Sequence, residues 1–94
     1  MGKPEGTIEN YLAKRAKENG MLCYKTISPS RRGFPDRTLI GNGHVIFVEL
    51  KSASGKLSES QKVRIKEMKE HGADVRVIAS KQETDLLIDE LKNA

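Results

Sequence analysis

Apolar residues recur along this chain at two spacings, and the change from one to the other marks out its elements. Ile8, Tyr11, Leu12 and Ala16 stand three and four residues apart, on one stripe of a helix. Thr7 is placed to cap that helix, and Gly20 to stop it after about Asn19. "MLCYKTI" then reads as a strand, and "SPSRRGFP" as a loop rich in breakers and arginine. Two further apolar runs flank "GNGH". Asn-Gly between such runs is the strongest short-range hairpin signal, because both central positions need φ > 0.

Beyond the hairpin and the short loop "ASGK", Ser58 and Gln61 have the spacing of a capping box. They open a helix predicted to run to about Gly72. "DVRVIA" is a buried type of strand, and Ser80 with Glu83 repeats the capping-box spacing before a last helix. The apolar side of that helix, Leu87, Ile88 and Leu91, can pack on its own core or on another subunit. The order is αβββαβα. A strand that returns after a helix predicts an α/β fold with a mixed sheet of about four strands.

Ninety-four residues bound a single domain over positions 1–94. No apolar run is long enough to span a bilayer, and "MGKPEGTIEN" lacks the apolar region of a signal peptide. The single cysteine, Cys23, reads as a buried thiol in a strand. These features predict a reducing, cytoplasmic setting and no membrane partner. The net charge is +4 and the pI about 9.3, a balance that favours a polyanion. The cations cluster: Arg31, Arg32 and Arg37 surround one loop, and Lys51 and Lys56 flank another. Aromatic residues are few and tryptophan is absent. That argues against a base-stacking sheet and for contacts made mainly to phosphates.

The strand "HVIFVELKS" ends on an acid and a base, Glu49 and Lys51, which share a face by the strand's period of two. With Asn42-Gly43 as a two-residue turn, Gly41 lies opposite His44, and counting outward sets Asp36 opposite Glu49. Directly opposed residues share a face, with Cβ atoms about 4.5–5.5 Å apart, and like charges there destabilise a sheet. A divalent cation held by carboxylate oxygens would compensate. So would a salt bridge from Lys51 or Arg37.

Gln61 lies four residues before Ile65 and seven before Met68, on the core-facing stripe where leucine would be expected. It either completes the Ser58 cap or serves a polar cluster on the sheet. Glu9, in the first turn of the first helix, suits the helix dipole, and it also flanks the apolar stripe where it could lean toward Asp36 and Glu49.

Taken together, "PD" at Pro35-Asp36 and "ELK" at Glu49-Leu50-Lys51 match the PD-(D/E)xK nuclease signature. With Glu9, "GFPD", "FVELK" and "GKLSESQ" in order, the chain resembles the VRR-NUC (virus-type replication-repair nuclease) family from Glu9 to about Ala79. The resemblance implies a restriction-endonuclease-like core and metal-dependent hydrolysis of DNA. It implies that Asp36 and Glu49, with the Leu50 carbonyl, hold Mg²⁺ or Mn²⁺, and that Glu9 supports them. Lys51 would orient the attacking water and stabilise developing charge, and Gln61 would position that water or Lys51. It further implies a homodimer acting on branched DNA, such as Holliday junctions, in replication, repair or recombination. Arg31, Arg32, Arg37 and Lys56 are the candidate phosphate contacts. A less selective nuclease, a DNA-binding module without cleavage and a basic interaction protein are the alternatives.

Overall fold

The computed structural model describes residues 4–26, 32–51 and 55–94. The elements follow the expected order: α1 (Pro4–Glu18), β1 (Leu22–Lys25), β2 (Arg37–Gly41), β3 (His44–Leu50), α2 (Glu59–Glu70), β4 (Asp74–Ile78) and α3 (Lys81–Lys92). Some boundaries differ: β1 is shorter than "MLCYKTI" and β3 ends before Lys51, while Ile27 and Ser52 lie outside the described residues. α1 begins at Pro4, so Thr7 lies inside the helix and does not cap it. The signal was the proline itself, whose fixed φ suits the first helical position and whose missing N–H is not needed there. Gly20 ends α1 as expected, in the left-handed region at φ +70°.

The four strands form one sheet in the order β1-β2-β3-β4. β1, β2 and β3 are antiparallel neighbours, and β4 adds parallel to β3 after the α2 crossover. At the hairpin, Asn42 (φ 50°) and Gly43 (φ 82°) take the left-handed conformations that a tight two-residue turn demands. Gly41 pairs with His44, and the register continues without a bulge to Arg37 opposite Val48. Asn42 also donates its side-chain amide to the carbonyls of Leu91 and Ala94, at 2.8 and 3.0 Å, tying the turn to the end of α3.

Alternation then assigns the two faces. Leu39, Ile46, Val48 and Ile78 join Ile8, Leu12 and Ala16 of α1 and Leu87, Ile88 and Leu91 of α3 in the main core. Burying each of the valine, leucine and isoleucine side chains stabilises the fold by about 1.5–3 kcal/mol. α3 therefore packs on its own core. Tyr11 and Arg15 on α1 both donate to Asp85 on α3, at 2.8 and 3.1 Å. On the opposite face α2 covers the β4 side of the sheet, where Ile65 and Val75 are buried. Cys23 is only half-buried, on β1, and burial raises its thiol pKa.

Candidate active site

The α2 face of the sheet can be read in rows across the strands. Leu22, Ile40 and Val45 form one row, and Tyr24, Thr38 and Phe47 the next. One further step past the last ladder pair sets Asp36 across from Glu49. The Asp36 carbonyl accepts from the Thr26 N–H at 2.9 Å. Its side chain closes the end of β3, where Oδ2 accepts from the Leu50 N–H at 2.8 Å. The turn register therefore delivers the two facing carboxylates that the sequence predicts.

Glu49 is buried, at 2% exposure. Its Oε2 accepts from Gln61 Nε2 at 2.8 Å, and its Oε1 is buried with no hydrogen-bond partner. Burial, and then the charge and proximity of Asp36, push its carboxyl up from the ordinary 4.5 to about 8. The expected salt bridge is not what neutralises it. Among the described residues neither Lys51 nor Arg37 pairs with Asp36 or Glu49. A buried carboxylate oxygen left without a partner is costly. Together with the facing Asp36 it offers hard, anionic oxygens of the kind a divalent cation takes. The residues present fit the implied metal.

Gln61 satisfies both roles that the sequence left in competition. Its Oε1 accepts from the Ser58 N–H at 2.7 Å, and the Ser58 hydroxyl accepts from the Gln61 N–H at 3.2 Å, which completes the capping box. The other end of the same amide holds Glu49. Ser80 likewise caps α3, but Glu83 reaches one residue further back, to the Ala79 N–H.

The remaining candidates are more scattered. Lys51 is half-buried and extends the sheet by donating its N–H to the Ile78 carbonyl at 3.0 Å. Its ammonium lies 3.4 Å from the Gly55 carbonyl. Glu9 is held by Arg37, whose Nε donates to Glu9 Oε2 at 2.6 Å. Arg37 pairs with core-facing Val48, so alternation directs it to the face opposite Asp36 and Glu49. Accordingly, no group of three or more acidic, histidine or cysteine side chains converges among the described residues. Arg37 is thus engaged within the fold, while Arg32 and Lys56 are exposed. Arg31 lies outside the described residues.

A family model, the VRR-NUC domain, matches residues 4–82. The chain belongs to the VRR-NUC family. Among solved structures, one described as a VRR_NUC domain superposes with a TM-score of 0.85 at 29% identity, over 94% of this chain and 97% of that one. Another, a VRR_NUC domain protein, superposes with a TM-score of 0.75 over 99% and 91% of the two chains. At 16% identity that likeness concerns the fold alone. "Putative nuclease p44" of Acyrthosiphon pisum secondary endosymbiont phage 1 is 43% identical over 53 residues. That stretch is 55% of this chain and 57% of the phage protein.

Two residues of this VRR-NUC chain take structural parts that the sequence did not assign to them. Gly33, at φ +79°, lies against α2, where an added Cβ would meet the Ser60 carbonyl oxygen at 2.3 Å. It is the glycine of the "GFPD" motif, which the sequence marked without giving this residue a role of its own. Arg64 donates Nε to the Arg32 carbonyl at 3.1 Å. Nothing in the sequence sets it apart from the other charges of α2.

Proposed function

We propose that this chain is a divalent-metal-dependent DNA endonuclease. The observation that carries the reading is the buried, unpartnered Oε1 of Glu49 facing Asp36, in a chain of the VRR-NUC family. Asp36 and Glu49 would hold Mg²⁺ or Mn²⁺, with the Leu50 carbonyl as a further oxygen ligand. Such a cation, when bound, stabilises charge on a phosphodiester and lowers the pKa of bound water. The Leu50 N–H fixes the direction of the Asp36 carboxylate, and Gln61 that of Glu49. Lys51 follows on the same face and brings a compact positive charge to the place where negative charge develops. Glu9, clamped by Arg37, steadies α1 beside the strand that starts after Asp36. Arg31, Arg32 and Lys56 supply phosphate contacts beside the cut. Preference for branched DNA such as four-way junctions, action as a homodimer and a role in replication or repair complete the reading. These rest on the resemblance to the family.

The test is cleavage of labelled four-way junction, flap, duplex and single-stranded DNA, with Mg²⁺, with Mn²⁺ and with a chelator. Metal-dependent cuts are expected, strongest on the branched substrates. No cleavage of any substrate with either metal would sink the proposal. Equal cutting of all four would leave the nuclease and remove the preference.

A further inference from the structure

The two carboxylates of the candidate site reach it on different segments, and a single turn of α2 touches both. On one side Gln61 holds Glu49 by a 2.8 Å hydrogen bond. On the other, the loop that delivers Asp36 crosses the same turn. Gly33 approaches it so closely that a Cβ would stand 2.3 Å from the Ser60 carbonyl oxygen and 2.7 Å from the Gln61 nitrogen. One turn on from Gln61, Arg64 donates Nε to the carbonyl of Arg32, while Nη1 pairs with Glu67. The Arg64 side chain is only 14% exposed. Further along the loop, Phe34 meets Phe47 edge to face at 5.8 Å, and Pro35 is fully buried before Asp36.

Among the described residues, Arg64 is the side chain that fastens the backbone of this loop ahead of Asp36. A planar guanidinium with one edge on Glu67 and Nε on a carbonyl is a stiff link, because its donors are fixed relative to one another. Loop and helix then move together, and with them Asp36 and Glu49. We propose that Arg64 is a positioning residue that sets the separation of Asp36 and Glu49. It does so by tying the Asp36 loop to the helix turn through which Gln61 holds Glu49. This rests on reading the two carboxylates as a cation site.

Titration of the full chain with Mn²⁺, followed calorimetrically, tests the inference beside cleavage kinetics. Arg64→Met keeps the aliphatic bulk and removes the donors, so the variant retains its packing. It should weaken Mn²⁺ binding about tenfold and lower kcat by a comparable factor, as loss of a partner outside the ligand sphere does. KM for DNA should stay within about twofold, because no contact with substrate is removed. Arg64→Lys, which can still donate one bond to the Arg32 carbonyl, should recover part of both losses. Asp85→Ala loosens the α1–α3 contact on the far face of the sheet and serves as the control. It should lower stability without changing Mn²⁺ affinity.

Unchanged Mn²⁺ affinity in Arg64→Met would overturn the inference. So would an equal loss in Asp85→Ala, or a rise in KM alone, which would mark Arg64 as a phosphate contact. Mn²⁺ binding by the wild type without cleavage would end the nuclease reading but still decide the role of Arg64. No Mn²⁺ binding by the wild type would overturn both.

Discussion

Gln61 and Glu49 are joined by a 2.8 Å hydrogen bond from the amide Nε2 to the carboxylate Oε2. Because the amide oxygen is committed to the Ser58 N–H, the nitrogen can point only one way. The start of a helix and the buried end of a strand are locked by one side chain. Gln61→Leu strands a buried acceptor and an N-cap donor, and should cost about 1–3 kcal/mol in urea unfolding. Gln61→Glu can still accept from Ser58, but it sets a third acid against Glu49. It should keep most of the stability and lose cleavage; normal cleavage would separate Gln61 from the site.

The raised carboxyl of Glu49 has a pH signature. Its folded-state value, about 8, lies above the ordinary 4.5, so the folded chain binds a proton that the unfolded chain releases. The resulting stability is complete below about pH 4.5 and is lost as pH rises to about 8. Relative to Glu49→Gln, the wild type should therefore lose stability across that window in metal-free buffer. Midpoints of chemical unfolding measured from pH 4 to pH 9 in both proteins check this. Parallel curves would mean that Glu49 is ionised and stabilised by a partner.

Cation binding competes with that proton. Mn²⁺ should raise the thermal midpoint of the wild type more at pH 8 than at pH 6, and barely shift Glu49→Gln. At a concentration about a hundredfold above Kd the gain is about 2.7 kcal/mol by mass action. Melting with Mn²⁺ and with a chelator measures it, and an equal shift in both proteins would place the cation elsewhere.

Asp36→Asn should reduce cleavage more than about a hundredfold, beyond the loss of an outer partner. Lys51→Ala should reduce it about a hundred- to a thousandfold. Both should bind a labelled four-way junction as the wild type does, since the proposed phosphate contacts are elsewhere. Gel-shift and cleavage assays on the same preparations separate the two effects. A variant that cuts normally loses its assigned role.

Two glycines with the same sign of φ should respond differently to alanine. Gly20 has open space around its missing side chain, so Gly20→Ala should cost only the left-handed conformation, about 1–2 kcal/mol. Gly33→Ala carries that cost and also drives a methyl into the Ser60 carbonyl. It should be the more destabilising of the two by thermal unfolding, and it alone should impair Mn²⁺ binding. Equal effects would show that the loop shifts freely.

Much of this was legible because it depends on short-range rules. The Asn42-Gly43 turn, the serine caps and the count from Gly41 to Asp36 each follow from local chemistry. Their product, Asp36 across from Glu49, needed no knowledge of the core. What escaped depends on where elements meet. Thr7 read as the start of the first helix, which instead begins at Pro4. Arg37 read as one of several loop cations, yet strand alternation turns it toward α1 and onto Glu9. Arg64 gains its role only when the Asp36 loop lies across α2, a contact between segments about thirty residues apart.

The hairpin turn and the candidate site stand at opposite ends of β2, separated by roughly 20 Å of extended chain. Between them the sheet carries a count of residues. One residue gained or lost at Asn42-Gly43 would bring Val48 or Leu50 across from Asp36 and send Glu49 out of step. The side chain of Asn42, anchored on Leu91 and Ala94, guards that count from the far side of the molecule. For anyone altering this chain, a turn remote from the two carboxylates is therefore part of their geometry, and its length is less free than its composition.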